Sequence, residues 1–206
     1  MIGVITGDII NSRKSETSYW LSVLKNSLDD FGNSPGDWEI FRGDSFQLQI
    51  ADPKKAFLAA VKIKADIKSH KNLDIRTAIG VGEKDFESTK ITESNGEAFV
   101  NSGQGFEQLK SEKKTLSITT FDTVFNEEMN LYLRLMLIAM DKWSPGSAEI
   151  VSVSLMNPEY SQHKIGKMLG ISQSSVSERQ TRSYLSEVME VEKMYRKKIA
   201  QLTPKK

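Results

Sequence analysis

A chain of 206 residues, 38% hydrophobic and 27% charged, allows one large domain, or a medium domain plus a small one, around an ordinary buried core. The absence of cysteine excludes disulfide and thiolate chemistry, no apolar run reaches the roughly 20 residues that span a bilayer, and Met1 enters a strand pattern directly with no secretory signal, so the expected compartment is the cytoplasm. The net charge of +1 conceals an asymmetry: residues 142–206 carry 11 Lys/Arg and 6 Asp/Glu, a net +5, whereas residues 1–141 carry 17 and 21, a net −4, and an acidic body with a basic tail points to two jobs.

Residues 2–7 read as a buried strand that ends at Gly7-Asp8. From Ser15 or Glu16 to Phe31 the spacing of Trp20, Leu21, Leu24, Leu28 and Phe31 predicts a helix, broken by "GNSPGD". "WEIF", "RGD" and "SFQLQI" predict a hairpin, because Phe46, Leu48 and Ile50 alternate. Asp52-Pro53 opens a helix that runs to about His70. "LDIRTAIGVG" is a further strand, residues 83–95 a polar loop, "GEAFVNSGQGFEQL" a short helix opening at Gly96, and "TLSITT" the last strand. This order is that of a split β-α-β arrangement in an α+β sheet. Residues 121–141 form a long amphipathic connecting helix, and an all-helical region begins at 142, so the expected division is 1–120, 121–141 and 142–206.

Asp8 closes the first strand, and Asp44 sits at the tip of the hairpin. In the split β-α-β order those two places are neighbours. Two carboxylates there repel, and Mg²⁺ or Mn²⁺ relieves the repulsion while taking phosphate oxygens as further ligands. Asp8 and Asp44, helped by the main-chain carbonyl of Ile9, are therefore the candidate metal ligands. The plainer alternative is that an Asp beside a Gly makes a turn or caps a helix. No Gly-x4-Gly-Lys-Ser/Thr phosphate loop is present.

The sharpest local motif is "YSQHKIGKMLGISQSSVSERQTRSYL". Ser161 caps a helix that holds Ile165, Met168 and Leu169. Gly170 supplies the tight turn, Ile171 fills the angle, and Ser172 caps a second helix with Val176 on its buried side. This is the spacing of a helix-turn-helix. The second helix would present Gln173, Ser174, Ser177, Glu178 and Arg179; its Gln, Ser and Arg side chains reach base edges or phosphates, Glu178 faces phosphates unfavourably, and Lys164, Lys167 and Arg182 reach the DNA backbone. The same pair of helices also serves for protein contacts or oligomerisation in the plainer reading. Beyond Arg182 the helix continues, with Leu185, Val188, Tyr195, Ile199 and Leu202 in a stripe that is either a dimer seam or packing on the body.

"VITGDIINSRK", "FRGDSFQLQI", "IRTAIGVG" and "GEAFVNSGQGFEQL", together with the C-terminal segment, resemble the SatD family of bacterial proteins over nearly the whole chain. The first half is also similar, more distantly, to the palm domain of class III nucleotidyl cyclases and GGDEF enzymes. That resemblance implies Asp8, Ile9 and Asp44 as metal ligands, Gly7, Gly43 and Asn101 as cofactor-contacting positions, and a nucleoside triphosphate or related nucleotide as ligand. The cyclases carry an Arg four residues after the Asn, where this chain has Gly105. Arg42 or Arg76 are the candidate substitutes, although Arg76 can equally pair with a local acid. The expectation is thus an α+β, palm-like (ferredoxin-like) domain followed by a small all-α helix-turn-helix domain. Its leading function is a cytoplasmic, homodimeric, DNA-binding regulator with a nucleotide- and Mg²⁺-binding sensor. The alternatives are a metal-dependent nucleotidyl cyclase or polymerase, and an interaction protein with both sites degenerate.

Overall fold

The computed structural model describes residues 1–14 and 16–202. Five strands form one mixed sheet: β1 (Ile2–Ile10), β2 (Trp38–Phe41), β3 (Ser45–Ile50), β4 (Asp74–Gly82) and β5 (Leu116–Thr119), in the order β2-β3-β1-β4-β5. β1 is antiparallel to both β3 and β4, β2 is antiparallel to β3, and β5 is parallel to β4. β1 and β2 therefore run the same way with β3 inserted between them. Helices α1 (Thr17–Asp29) and α2 (Ala56–Lys68) cover one face, and α3 (Glu97–Glu112) covers the other as the crossover to β5. The class is α+β. Four more helices follow a long one: α4 (Thr123–Met140), then α5 (Pro145–Met156), α6 (Gln162–Leu169), α7 (Gln173–Arg182) and α8 (Leu185–Ile199). No helix among the described residues is long and apolar enough to cross a membrane.

Several boundaries differ from the expected ones. β1 runs on to Ile10, so Asp8 lies inside the strand rather than at its end. The first helix opens at Thr17 with Glu16 at its cap position, and Ser15 lies outside the described residues. α3 is no short helix but spans 16 residues despite its glycines. Gly103 stands in open space, and Gly105 lies where a Cβ would sit 3.0 Å from Thr119 Oγ1 and 3.3 Å from the Ala78 Cβ, so it lets the helix close on the sheet. The loop at 83–95 contains a single 3-10 turn, Ile91–Glu93, because Ile91 is apolar enough to be buried. The helix expected to continue past Arg182 breaks instead. Ser183 is buried with its carbonyl accepting from Trp143 Nε1 at 2.9 Å, and Tyr184 adopts a left-handed φ of 54° that folds α8 back over α4.

One hydrophobic core runs through the sheet and the C-terminal helices. α2 is buried on nearly every side, 11 of its 13 residues, because the sheet lies against one flank and α5 against the other. Its lysines are buried with it and are held by acids: Lys64 by Asp74 and Asp141 at 2.9 and 2.8 Å, Lys68 by Asp74 at 2.9 Å, and Lys62 by Asp30 and Asp66 at 2.9 and 2.6 Å. Buried ammonium groups are costly unless paired in this way. In α8, Val188, Tyr195 and Ile199 are buried against the body. The Tyr195 hydroxyl donates to the Pro53 carbonyl at 2.7 Å, and its ring packs on Phe57 and Phe125.

Candidate functional site

Two regions hold the residues singled out in the sequence. The first is the end of the sheet where β1 leaves and the β2–β3 hairpin turns. Arg42 and Gly43 form the tip with φ of 51° and 91°, and no neighbour crowds Gly43, so backbone conformation alone calls for glycine there. Asp44 follows, and its carbonyl accepts from the Ile9 N–H at 3.2 Å. The backbones carrying the two carboxylates therefore touch, as the strand order requires. Their side chains take different partners. In the β1–β3 ladder Ser45, not Asp44, stands opposite Asp8. Asp8 points to the α3 face and meets its other ladder partner, Arg76 on β4. Arg76 donates from Nε to Oδ1 at 2.9 Å and from Nη2 to Oδ2 at 2.7 Å, a two-pronged pair, and Lys110 of α3 comes within 3.9 Å of Oδ2. The Asp44 carboxylate instead accepts from Ser12 Oγ at 2.6 Å, in the turn after β1.

Of the two readings of Arg76, pairing with a local acid is the one observed. Each oxygen of Asp8 accepts one bond from Arg76, so a divalent ion there would share the carboxylate with that guanidinium, and no group of three or more His, Cys, Asp or Glu gathers among the described residues. Gly7 is not held free for a cofactor: a Cβ there would lie 2.5 Å from the Phe46 ring and 2.7 Å from the Arg76 carbonyl, so glycine makes room for the core. Asn101 does not join the carboxylates. α3 starts beside Glu83, where its Ala98 N–H is bonded, and runs back over the sheet toward Asp8. Its early residues therefore lie at the far end, and the Asn101 amide donates to the Val81 carbonyl at 2.9 Å. Val81 is five residues along β4 from Arg76, about 17 Å at strand rise. Arg42 is exposed beside Asp44. Ser12 and Lys110 went unnoticed in the sequence because each reaches its acid only through the turn after β1 or the crossover of α3.

The second region is the pair α6–α7. Ser161 and Ser172 cap the two helices through backbone N–H groups of Lys164 and Ser175, at 3.3 and 3.1 Å. Gly170 takes a φ of 65° between them, and the Ile171 N–H closes on the Gly166 carbonyl at 3.0 Å. Gly166, missed in the sequence, sits where the helices cross: a Cβ would lie 2.7 Å from the Ile171 carbonyl, so only glycine permits this approach. Ile165 and Val176 are buried between the helices, which turns Gln173, Ser174, Glu178, Thr181 and Arg182 outward, with Ser177 half-buried. Lys164 and Lys167 are exposed on α6, Lys164 lying 3.3 Å over the Tyr160 ring. Gln173 bonds back to Gln162, which in turn donates to Gln180 at 2.9 Å. Arg179 departs from expectation: it turns inward, half-buried, its guanidinium over Gly146 and bonded to Glu149 of α5 at 3.1 Å. Arg182 pairs with Glu178 one turn earlier on an exposed surface, an interaction worth only about 0.3–0.5 kcal/mol and easily exchanged.

The chain matches no protein-family model, no curated protein and no solved structure.

Proposed function

We propose that this chain is a DNA-binding regulatory protein whose α6–α7 pair is a helix-turn-helix and whose sheet unit is a palm-like sensor. The observation that carries the reading is the outward face of α7: a helix begun by a tight glycine turn, with short polar side chains at its free N-terminal half and the exposed cations Lys164, Lys167 and Arg182 beside it. Such a helix is slim enough for the major groove, Gln173 would leave Gln162 to read an adenine edge, and the lysines would neutralise phosphates. The local net charge of +5 favours the same partner. In the sheet unit the strand order supports a palm-like assignment, in line with the resemblance to the SatD family. A Mg²⁺-bound nucleotide would then settle at Asp8, Ile9 and Asp44, its phosphates competing with Asp8 for Arg76. Sensing is favoured over turnover because Asn101 lies away from the carboxylates and Gly105 supplies no cation where phosphate charge would develop.

An electrophoretic shift titration against genomic fragments, at several salt concentrations, tests the proposal. Affinity should fall steeply with salt, and Lys167→Ala should lower the log–log salt slope by about 0.9 for one lost phosphate contact. Gln173→Ala should cost about 1–3 kcal/mol on the preferred site and little elsewhere, and that site should carry half-sites roughly 10 base pairs apart. Gly166→Ala should abolish binding by forcing the helices apart. No shift at low salt by the folded chain, with or without Mg²⁺ and nucleoside triphosphates, ends the DNA-binding reading.

A further inference from the structure

Helix α4 carries an apolar stripe that no described residue covers. Val124, Leu131, Leu135 and Ile138 are 66%, 46%, 58% and 63% exposed. Positions 124, 131 and 138 are a heptad apart, so they share one face, with Leu135 just to one side. The opposite side of the same helix, Phe125, Met129, Leu133, Met136 and Met140, is in the core. The stripe borders a groove of about 570 Å³ between α4 and α8, lined by Tyr132, Met136, Val188 and Val191. A contiguous apolar surface of this kind marks an interaction site.

We propose that this face is the seam of a homodimer, in which α4 pairs antiparallel with α4 of a second copy about a two-fold axis at Leu131. The stripe is complementary to itself under that operation. Leu131 meets Leu131, and Val124 meets Ile138 at each end. A two-fold axis perpendicular to the plane of the two helices keeps every residue on its own side of the seam. Glu127 and Arg134 are exposed on the same edge of the stripe, so each Glu127 arrives beside the Arg134 of the other copy, giving two opposite-charge pairs. Neither residue has an ion-pair partner among the described residues. An unrelated partner would have no reason to match a helix whose charges and apolar positions reverse onto themselves. The 18 residues of α4 give a seam about 27 Å long, extended by the groove against α8. The proposal does not rest on DNA binding, since association is measured on the free protein.

The test is sedimentation of the full chain over a concentration series. The mass should rise from 23.2 kDa toward twice that value. Leu131→Asp, at an exposed position that leaves the circular dichroism unchanged, should hold the protein monomeric. Glu127→Arg and Arg134→Glu should each raise the dissociation constant at least about tenfold by setting like charges together, and the double exchange should restore it. A monomer at every concentration, a dimer indifferent to Leu131→Asp, or a double exchange no better than the single ones overturns the proposal. A strictly monomeric chain that takes up an apolar small ligand or a helix of another protein on this stripe overturns it too.

Discussion

Asp8, only 7% exposed, is held by the two nitrogens of Arg76 across the β1–β4 ladder. Arg76→Ala would leave a nearly buried carboxylate with Lys110, at 3.9 Å, as its one remaining cation among the described residues. Because Arg76 itself retains some exposure, the cost falls below that of a fully buried pair, at about 1–3 kcal/mol in urea unfolding. Asp8→Asn in the same chain should recover part of it, since the uncompensated charge is what costs. Added Mg²⁺ should raise the midpoint of Arg76→Ala and not that of the Asp8→Asn, Arg76→Ala double variant; an equal response of the two removes Asp8 from the metal reading. A second residue gives a pH signature. His70 is half-buried, with Nδ1 held 2.5 Å from the Tyr19 hydroxyl. Burial lowers its pKa below the ordinary 6.5, against the opposing pull of Asp66. A depressed folded-state pKa means the unfolded chain binds the extra proton more readily, so stability is present above about 6.5 and is lost as the pH falls. The difference in unfolding free energy between the wild type and His70→Gln should therefore shrink from about pH 7.5 to about pH 5, and a constant difference would dismiss the imidazole as its source.

At the scale of elements, the clearest device is at the free edge of β5. Two asparagines one turn apart on α4 imitate a neighbouring strand. Asn130 accepts from the Ile118 N–H at 3.0 Å and donates to the Ile118 carbonyl at 2.7 Å, and Asn126 does the same for Thr120, at 2.8 Å each way. An uncovered edge is a template for aggregation. Asn126→Ala together with Asn130→Ala should cost about 1–3 kcal/mol per lost pair and raise the rate of thermal aggregation in light scattering, whereas unchanged stability would show that water replaces both amides. This device also shows where sequence reading stops. The order of strands and helices was legible, because alternation at Phe46, Leu48 and Ile50 and helical spacing at Trp20, Leu24 and Leu28 are local signals. So were both serine caps and the left-handed Gly170. Asn126, Asn130 and the buried lysines of α2 carry no such local signal, since their partners come from elsewhere in the chain. The separate partners of Asp8 and Asp44 were hidden for a related reason: strand register, which sets Ser45 rather than Asp44 opposite Asp8, decides which side chains meet.

The whole molecule is built around α2, enclosed between the sheet and α5, with α8 closing the other side through Tyr195 and Ile199. Polar links join the helices after Asp141 to the rest: Ser152 of α5 donates to Asp66 of α2 at 2.5 Å, and Lys198 of α8 reaches Glu128 of α4 at 2.5 Å. A chain cut after Asp141 would uncover the surfaces against which Val151, Leu155, Tyr195 and Ile199 are buried. Each such side chain contributes about 1.5–3 kcal/mol, so the four together approach the whole 5–15 kcal/mol that holds a domain folded. The intact protein should accordingly unfold in one calorimetric transition, with amides of α2 among the slowest to exchange. The fragment 1–141 should show no cooperative melt and should expose α2 to fast exchange. A cooperative melt of 1–141, with α2 protected as in the full chain, would mean that the helices after Asp141 are a separable domain carried by a self-sufficient sheet.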